Sequence, residues 1–249
     1  MAEQSGISWT DATFNPWIGC TKVGPGCDNC YAEALMDKRW QRVQWGPGQP
    51  RRRTTTTWRD PVKWNTNHAA FFAQHGRRQR VFCASLADVF DNEVDPAWRA
   101  DLMDLIEATP NLIWLLLTKR IGNVRKMTAG RLPGNAAIGA TIANQEEYNR
   151  DAVKLAEVRA ALRPLFSFGS FEPLLGPIAL NDLAPDWIIV GGETSQGAHR
   201  ARLMPSEWPR AMSERAAHLN RAFFMKQMTD KHPIPLDLLV REYPVECQR

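Results

Sequence analysis

The chain has 249 residues, enough for one large domain or two small ones, and an α/β barrel is routinely this size. A hydrophobic content of 44% with 23% charged residues is ordinary for a globular protein, and a net charge of +4 permits binding to a polyanion without requiring it. No apolar run reaches the roughly 18 residues that span a bilayer, and the start MAEQSGISWTD lacks a signal-peptide pattern, so the expectation is a cytoplasmic protein with no membrane partner.

In chain order, Cys20, Cys27 and Cys30 come first, crowded into eleven residues rich in Gly and Pro. Tyr31 to Val43 reads as a helix with Ala34 and Leu35 on its apolar side. Residues 45–67 are polar, Pro- and Gly-containing and aromatic, which predicts a structured loop or lid. From Arg80 the chain alternates. Apolar, strand-like runs at Val81–Ser85, Leu112–Thr118, Ala137–Ile142, Leu165–Phe168, Trp187–Val190 and Ala222–Met225 are separated by amphipathic segments at Pro96–Ala108, Gln145–Leu162 and Pro205–Ala217. Asn144 is placed to cap the second of these helices. The spacing matches βα units, so the fold class expected is α/β: a partial or complete barrel of about six to seven parallel strands, in one domain over 1–249 with a tail from residue 233.

The strand-like runs end in residues able to do chemistry: Ser85 and Asp88, Lys119 and Arg120, Glu172, Gly191-Gly192-Glu193, and Lys226. In a βα barrel such ends converge on one face, where active sites are built. Basic runs at Arg51–Arg53, Arg77–Arg80 and Lys119–Arg120, with Trp40, Trp45, Trp58 and Trp64, are candidates for a cationic, base-stacking surface. A solvated surface and tryptophans packed beneath a loop account for the same residues.

Three thiolates are one short of a closed tetrahedral site, so a metal held by them keeps a position open. Thiolate sulfur selects zinc or an iron–sulfur cluster over hard cations. Zinc needs a fourth ligand, for which His68, His75, Cys83 and Cys247 are available, although none has a paired finger spacing with the first three. Cys83 reads as a buried thiol and Cys247 as a free one. A disulfide between two of the crowded cysteines stays open, while five cysteines so distributed fit a reducing compartment.

The segment Asn15-Pro-Trp-Ile-Gly-Cys20 through Gly26-Cys-Asp-Asn-Cys-Tyr-Ala32 resembles the cysteine loop of divergent radical S-adenosylmethionine enzymes, in particular the group around spore photoproduct lyase. The chain as a whole looks like the phage-associated three-cysteine-motif family, whose function is unknown. Ser85–Phe90, Leu115–Arg120, Glu172–Gly176, Val190–Glu193 and Phe223–Gln227 extend that resemblance from about residue 8 to 228. It implies a 4Fe–4S cluster on Cys20, Cys27 and Cys30, with S-adenosylmethionine chelating the fourth iron. Ser85, Lys119, Glu172, Gly191, Gly192 and Glu193 would then bind the cofactor, and Tyr31, Asp88, Lys119, Arg120 and Lys226 would serve the chemistry. A flavodoxin- or ferredoxin-type donor would supply the electron, and DNA, RNA or a nucleotide would be the substrate. Two features depart from the radical enzymes. Six residues separate Cys20 from Cys27 where three are usual, and Asn29 precedes the last cysteine where an aromatic is usual. The Gly-Gly-Glu motif also follows a late strand instead of the second. Two other readings remain: a nucleic-acid-binding protein with a structural zinc or iron–sulfur site, and a barrel hydrolase or transferase working through Glu172, Glu193 and Lys119.

Overall fold

The computed structural model describes residues 5–248. Its strands are β1 (Ala12–Thr13), β2 (Trp17–Ile18), β3 (Arg52–Arg53), β4 (Gln79–Cys83), β5 (Leu112–Thr118), β6 (Ala136–Thr141), β7 (Ser167–Phe171), β8 (Trp187–Gly191) and β9 (Ala222–Gln227). The helices are α1 (Tyr31–Glu33), α2 (Asp60–Thr66), α3 (His68–His75), α4 (Pro96–Glu107), α5 (Val124–Met127), α6 (Gln145–Leu162) and α7 (Glu207–His218). Among the described residues seven strands form one parallel sheet in the order β1-β4-β5-β6-β7-β8-β9, and β2 pairs with β3 as a small antiparallel ribbon. The expected α/β fold of six to seven parallel strands is therefore present as a partial barrel, with β1 as a strand too short to be read from periodicity.

Both faces of the sheet are buried, which is why its strands read as continuous apolar runs. Side chains alternate between two cores. Phe82, Ile113, Leu115, Ala137, Phe168, Ile189 and Phe224 form an inner cluster, while Val81, Trp114, Leu116, Ile138, Ile188 and Met225 pack outward with Leu102, Ile106, Leu155 and Met212 of the helices. The inner cluster shows the curl directly. Trp9, just ahead of β1, lies 6.2 Å from Trp187 at the start of β8, ring to ring. In a flat sheet the five strand spacings between β1 and β8 would separate them by about 24 Å. The seam between β1 and β9 stays open, and residues 240–242 cover the β9 edge, with Met225 N–H bonded to Val240 and Glu242 N–H to Phe223.

Asn144 caps α6 as expected, its side chain accepting from Glu147 N–H at 2.9 Å. Three elements differ from expectation. The helix opening at Tyr31 widens into a π-helix over Ala34–Arg39 and stops at Trp40, because the backbone turns left-handed at Gln41 and the Asp37 carboxylate takes the Trp45 N–H. Residues 45–67 contain β3, a helical turn and α2, with Trp64 buried and Trp58 edge-on to Phe14. The fourth predicted run lies two to three residues further along, as β7.

Each basic run buries a member as an ion pair. Asp11 accepts from Arg77 at 2.7 Å and from Arg80 at 3.0 Å at the bottom of the sheet. Burial alone would raise the Asp11 pKa, but the bonds from Arg77 and Arg80 outweigh it and hold the carboxyl at about 2. A depressed carboxylate pKa adds stability that is complete above the unfolded value near 4 and disappears as pH falls towards 2. Asp11→Asn is therefore expected to cost about 2 kcal/mol at pH 7, with the penalty shrinking between pH 4 and pH 2 in urea unfolding. A pH-independent penalty would contradict the pairing.

Candidate active site at the mouth of the partial barrel

The carboxyl ends of the parallel strands open into a cavity of about 530 Å³. Of the thirteen residues expected to form a site, all but Gly191 and Arg120 line it. Cys20, Cys27 and Cys30 face it as free thiols, as do Tyr31, Ser85, Asp88, Lys119, Glu172, Gly192, Glu193 and Lys226. The floor is apolar, with Trp9, Phe82 and Leu117 rising from the inner core.

The cysteine loop is fastened to the mouth from two sides. On the β4–β5 side, Tyr31 Oη donates to the Ser85 carbonyl at 2.6 Å, and Arg120 donates to the Thr21 carbonyl at 2.8 Å and to Cys20 Sγ at 3.5 Å. On the β8 side, Asn29 donates to the Thr194 carbonyl at 2.8 Å, and Arg202 reaches both the Pro25 carbonyl at 3.0 Å and Asp28 at 3.1 Å. Within the loop, Pro25–Cys27 form a helical turn and Cys30 sits at the amino end of α1. Sequence reasoning missed Asn29 and Arg202 as anchors. Each bond joins the cysteine loop to the segment after β8, about 165 to 177 residues away in the chain.

Several polar groups are already committed. Asp88 accepts from Thr118 Oγ1 at 2.7 Å, Lys119 N–H at 3.1 Å, Phe90 N–H at 2.9 Å and Arg120 at 3.0 Å. The Arg120 guanidinium, 8% exposed, is engaged by that carboxylate, by the Thr21 carbonyl and by Cys20. Both Glu193 oxygens hold Arg202, which keeps the acid below its usual pKa although burial works the other way. Glu172 pairs with Lys226 and accepts from Ser170 Oγ at 3.2 Å. Lys119 Nζ, by contrast, has no hydrogen bond or ion pair among the described residues. Burial pushes the Cys20 thiol up to about 12, with Asp88 adding to the rise and Arg120 opposing it, and burial also raises Cys30.

The two glycines of the Gly-Gly-Glu motif have a local cause. A Cβ on Gly191 would meet the Glu172 carboxylate at 2.9 Å. On Gly192 it would stand 2.4 Å from the Thr229 backbone nitrogen and 2.7 Å from the Met228 carbonyl carbon. The motif thus lets the turn after β9 lie against the end of β8. Of residues 45–67, Trp45 alone lines the cavity among the described residues.

Among the described residues no three His, Cys, Asp or Glu side chains gather as ligands of a single metal ion. His68, His75, Cys83 and Cys247 do not line the cavity, so none of them stands as a fourth ligand beside the loop. Zinc would require its sulfurs about 3.8 Å apart, at Zn–S distances near 2.3 Å.

A curled parallel α/β sheet with a three-cysteine loop over the carboxyl ends of its strands defines the class to which the chain belongs. The family described as "Protein of unknown function (DUF5131)" matches residues 4–237, and the chain is a member of it. No curated protein matches. A spore photoproduct lyase variant with bound AdoMet and dinucleoside spore photoproduct is similar in structure at 13% identity, with a TM-score of 0.45 over 87% of this chain. The match spans 53% of the lyase, so this chain corresponds to about half of that protein's length.

Because the neighbour of the Gly192 Cβ is backbone, the clash cannot be relieved by a rotamer change. Gly192→Ala is expected to cost about 1–3 kcal/mol, read as a lowered thermal midpoint. An unchanged midpoint would mean that the turn after β9 is free to move.

Proposed function

We infer that the chain is a radical S-adenosylmethionine-type iron–sulfur enzyme that modifies or repairs a nucleobase or nucleotide. The observation that carries this reading is the placement of three free thiols on one anchored loop over an apolar-floored cavity at the carboxyl ends of a parallel partial barrel. The resemblance of the cysteine segment adds to it. Five free cysteines support a reducing compartment such as the cytoplasm, and among the described residues no helix is long and apolar enough to cross a membrane.

When bound, a 4Fe–4S cluster and S-adenosylmethionine would supply one-electron cleavage of a sulfonium to a 5′-deoxyadenosyl radical, the electron coming from a flavodoxin- or ferredoxin-type donor. The chain's own residues would do the rest. Cys20, Cys27 and Cys30 would hold the cluster. The unpaired Lys119 ammonium is free to take a carboxylate. Glu172, partly neutralised by Lys226, can accept from an ammonium, while Glu193 fixes the wall through Arg202. Trp9, Phe82 and Leu117 keep water from the floor, as radical chemistry requires. Ser85 stands beside the loop to meet a hydroxyl. Asp88 and Arg120 hold the loop itself.

Anaerobic reconstitution should give about four irons and sulfides per chain, an EPR signal altered by S-adenosylmethionine, and 5′-deoxyadenosine on dithionite reduction. One tightly bound zinc with no cluster would sink this reading and favour a structural site. Ala at Cys20, Cys27 or Cys30 should each abolish the cluster while leaving the far-ultraviolet circular dichroism unchanged; retention of chemistry would favour the acid–base reading. Lys119→Gln should weaken S-adenosylmethionine binding roughly tenfold to a hundredfold, from loss of one charge-assisted hydrogen bond of about 1.5–3 kcal/mol.

A further inference from the structure

A second cavity, of about 480 Å³, lies at the opposite end of the sheet, where α6 ends and β7, β8 and β9 begin. Three arginines line it: Arg159 and Arg163 from the end of α6, and Arg221 ahead of β9. Asp186 pairs with two of them, at 2.7 Å from Arg159 and 3.2 Å from Arg221. Its other oxygen accepts from the backbone and hydroxyl of Ser167 at 2.9 and 2.8 Å. One saturated carboxylate therefore serves two of the three guanidiniums. Arg221 Nε is buried without a partner, and the Arg163 guanidinium has no hydrogen bond or ion pair among the described residues.

The backbone adds an independent observation. Arg163 closes α6 in the left-handed region, at φ 47° and ψ 57°, a position that favours glycine. Asn220, on the same cavity, is also left-handed at φ 52°. Arg163 is exposed, and an arginine at a glycine position on a cavity lined by three guanidiniums and two carboxylates has no local structural cause. Glu246 of the tail lines the cavity as well and pairs with none of the arginines, leaving an acceptor for hydroxyl or amino groups.

We propose that this cavity binds a phosphorylated small molecule of nucleoside monophosphate size, its phosphate on Arg159, Arg163 and Arg221 and its hydroxyl or amino groups towards Glu246. Guanidiniums match phosphate in bidentate geometry, and the volume suits a ligand of that size. The site is separate from the cysteine cavity and does not require a cluster.

Calorimetric titration of the 249-residue chain, without iron, tests it with AMP, inorganic phosphate and adenosine as probes. AMP and phosphate should bind, AMP the tighter, and adenosine should not. Arg163→Gly suits the left-handed position and should fold with an equal or higher thermal midpoint, yet weaken AMP at least tenfold. Arg131→Gln, an exposed control that removes the same charge, should leave binding unchanged. No heat with AMP or phosphate at millimolar concentration overturns the proposal, as does adenosine binding as tightly as AMP. Equal binding by Arg163→Gly, or an equal loss in Arg131→Gln, does the same. Loss in Lys119→Gln but not in Arg163→Gly would place the ligand in the cysteine cavity and overturn this assignment while leaving the cluster reading intact.

Discussion

The position of the cysteine loop depends on a buried set of charges formed by Arg51, Arg120, Asp88 and Asp91. Arg51, 1% exposed, lies 2.7 Å from Asp91 and donates to Thr21 Oγ1 at 2.7 Å. Arg120 holds the Thr21 carbonyl and Asp88, and stands 3.6 Å from Asp91. Two guanidiniums thus grip the residue next to Cys20 from separate elements, one on the ribbon strand side and one at the end of β5. A buried ion pair adds little net stability, but removing one partner costs about 3–5 kcal/mol because the other charge is left without solvent. That penalty fixes a geometry. The loop cannot leave the mouth without stranding buried charge.

Curvature of the sheet supplies the rest of the site. Trp9, Phe168, Trp187 and Phe224 fill the inside of the curl, and Tyr243 packs tilted against Trp187 at 5.3 Å. The lower half is therefore solid core, and the space left is at the carboxyl ends of the strands. There the apolar floor meets a rim on which Glu172 and Glu193 are held in pairs, while Lys119 and Lys231 have no ion pair among the described residues. Paired acids and two unpaired ammoniums, Lys119 and Lys231, give the cavity a surplus of positive charge.

Much of this was legible from residue order. The strands from β4 onward follow from apolar runs, because a parallel sheet buried on both faces must be apolar along its whole length. The polar residues ending those runs lie on one cavity because parallel strands share one carboxyl end. Other features were not legible. The basic runs read as surface, yet Arg51, Arg80 and Arg120 are buried, since their acids come from segments tens of residues away. Gly191 and Gly192 also have a cause that residue order does not show, since a Cβ on either would meet Glu172 or the Met228–Thr229 backbone. Asp88 and Arg120 read as reactive groups and are each other's partners.

By itself the sequence determined the alternating α/β order, the three-thiol loop and the chemistry-bearing ends of the strands, all of which are local in the chain. The tertiary structure decided which of those ends remain available. Pairing commits Asp88 and Arg120, and Glu193 with Arg202, to holding the mouth, and it leaves Lys119 unpaired beside the cysteines. Such choices depend on which side chains the curl of the sheet brings within a few ångströms, and spacing along the chain carries no record of that distance.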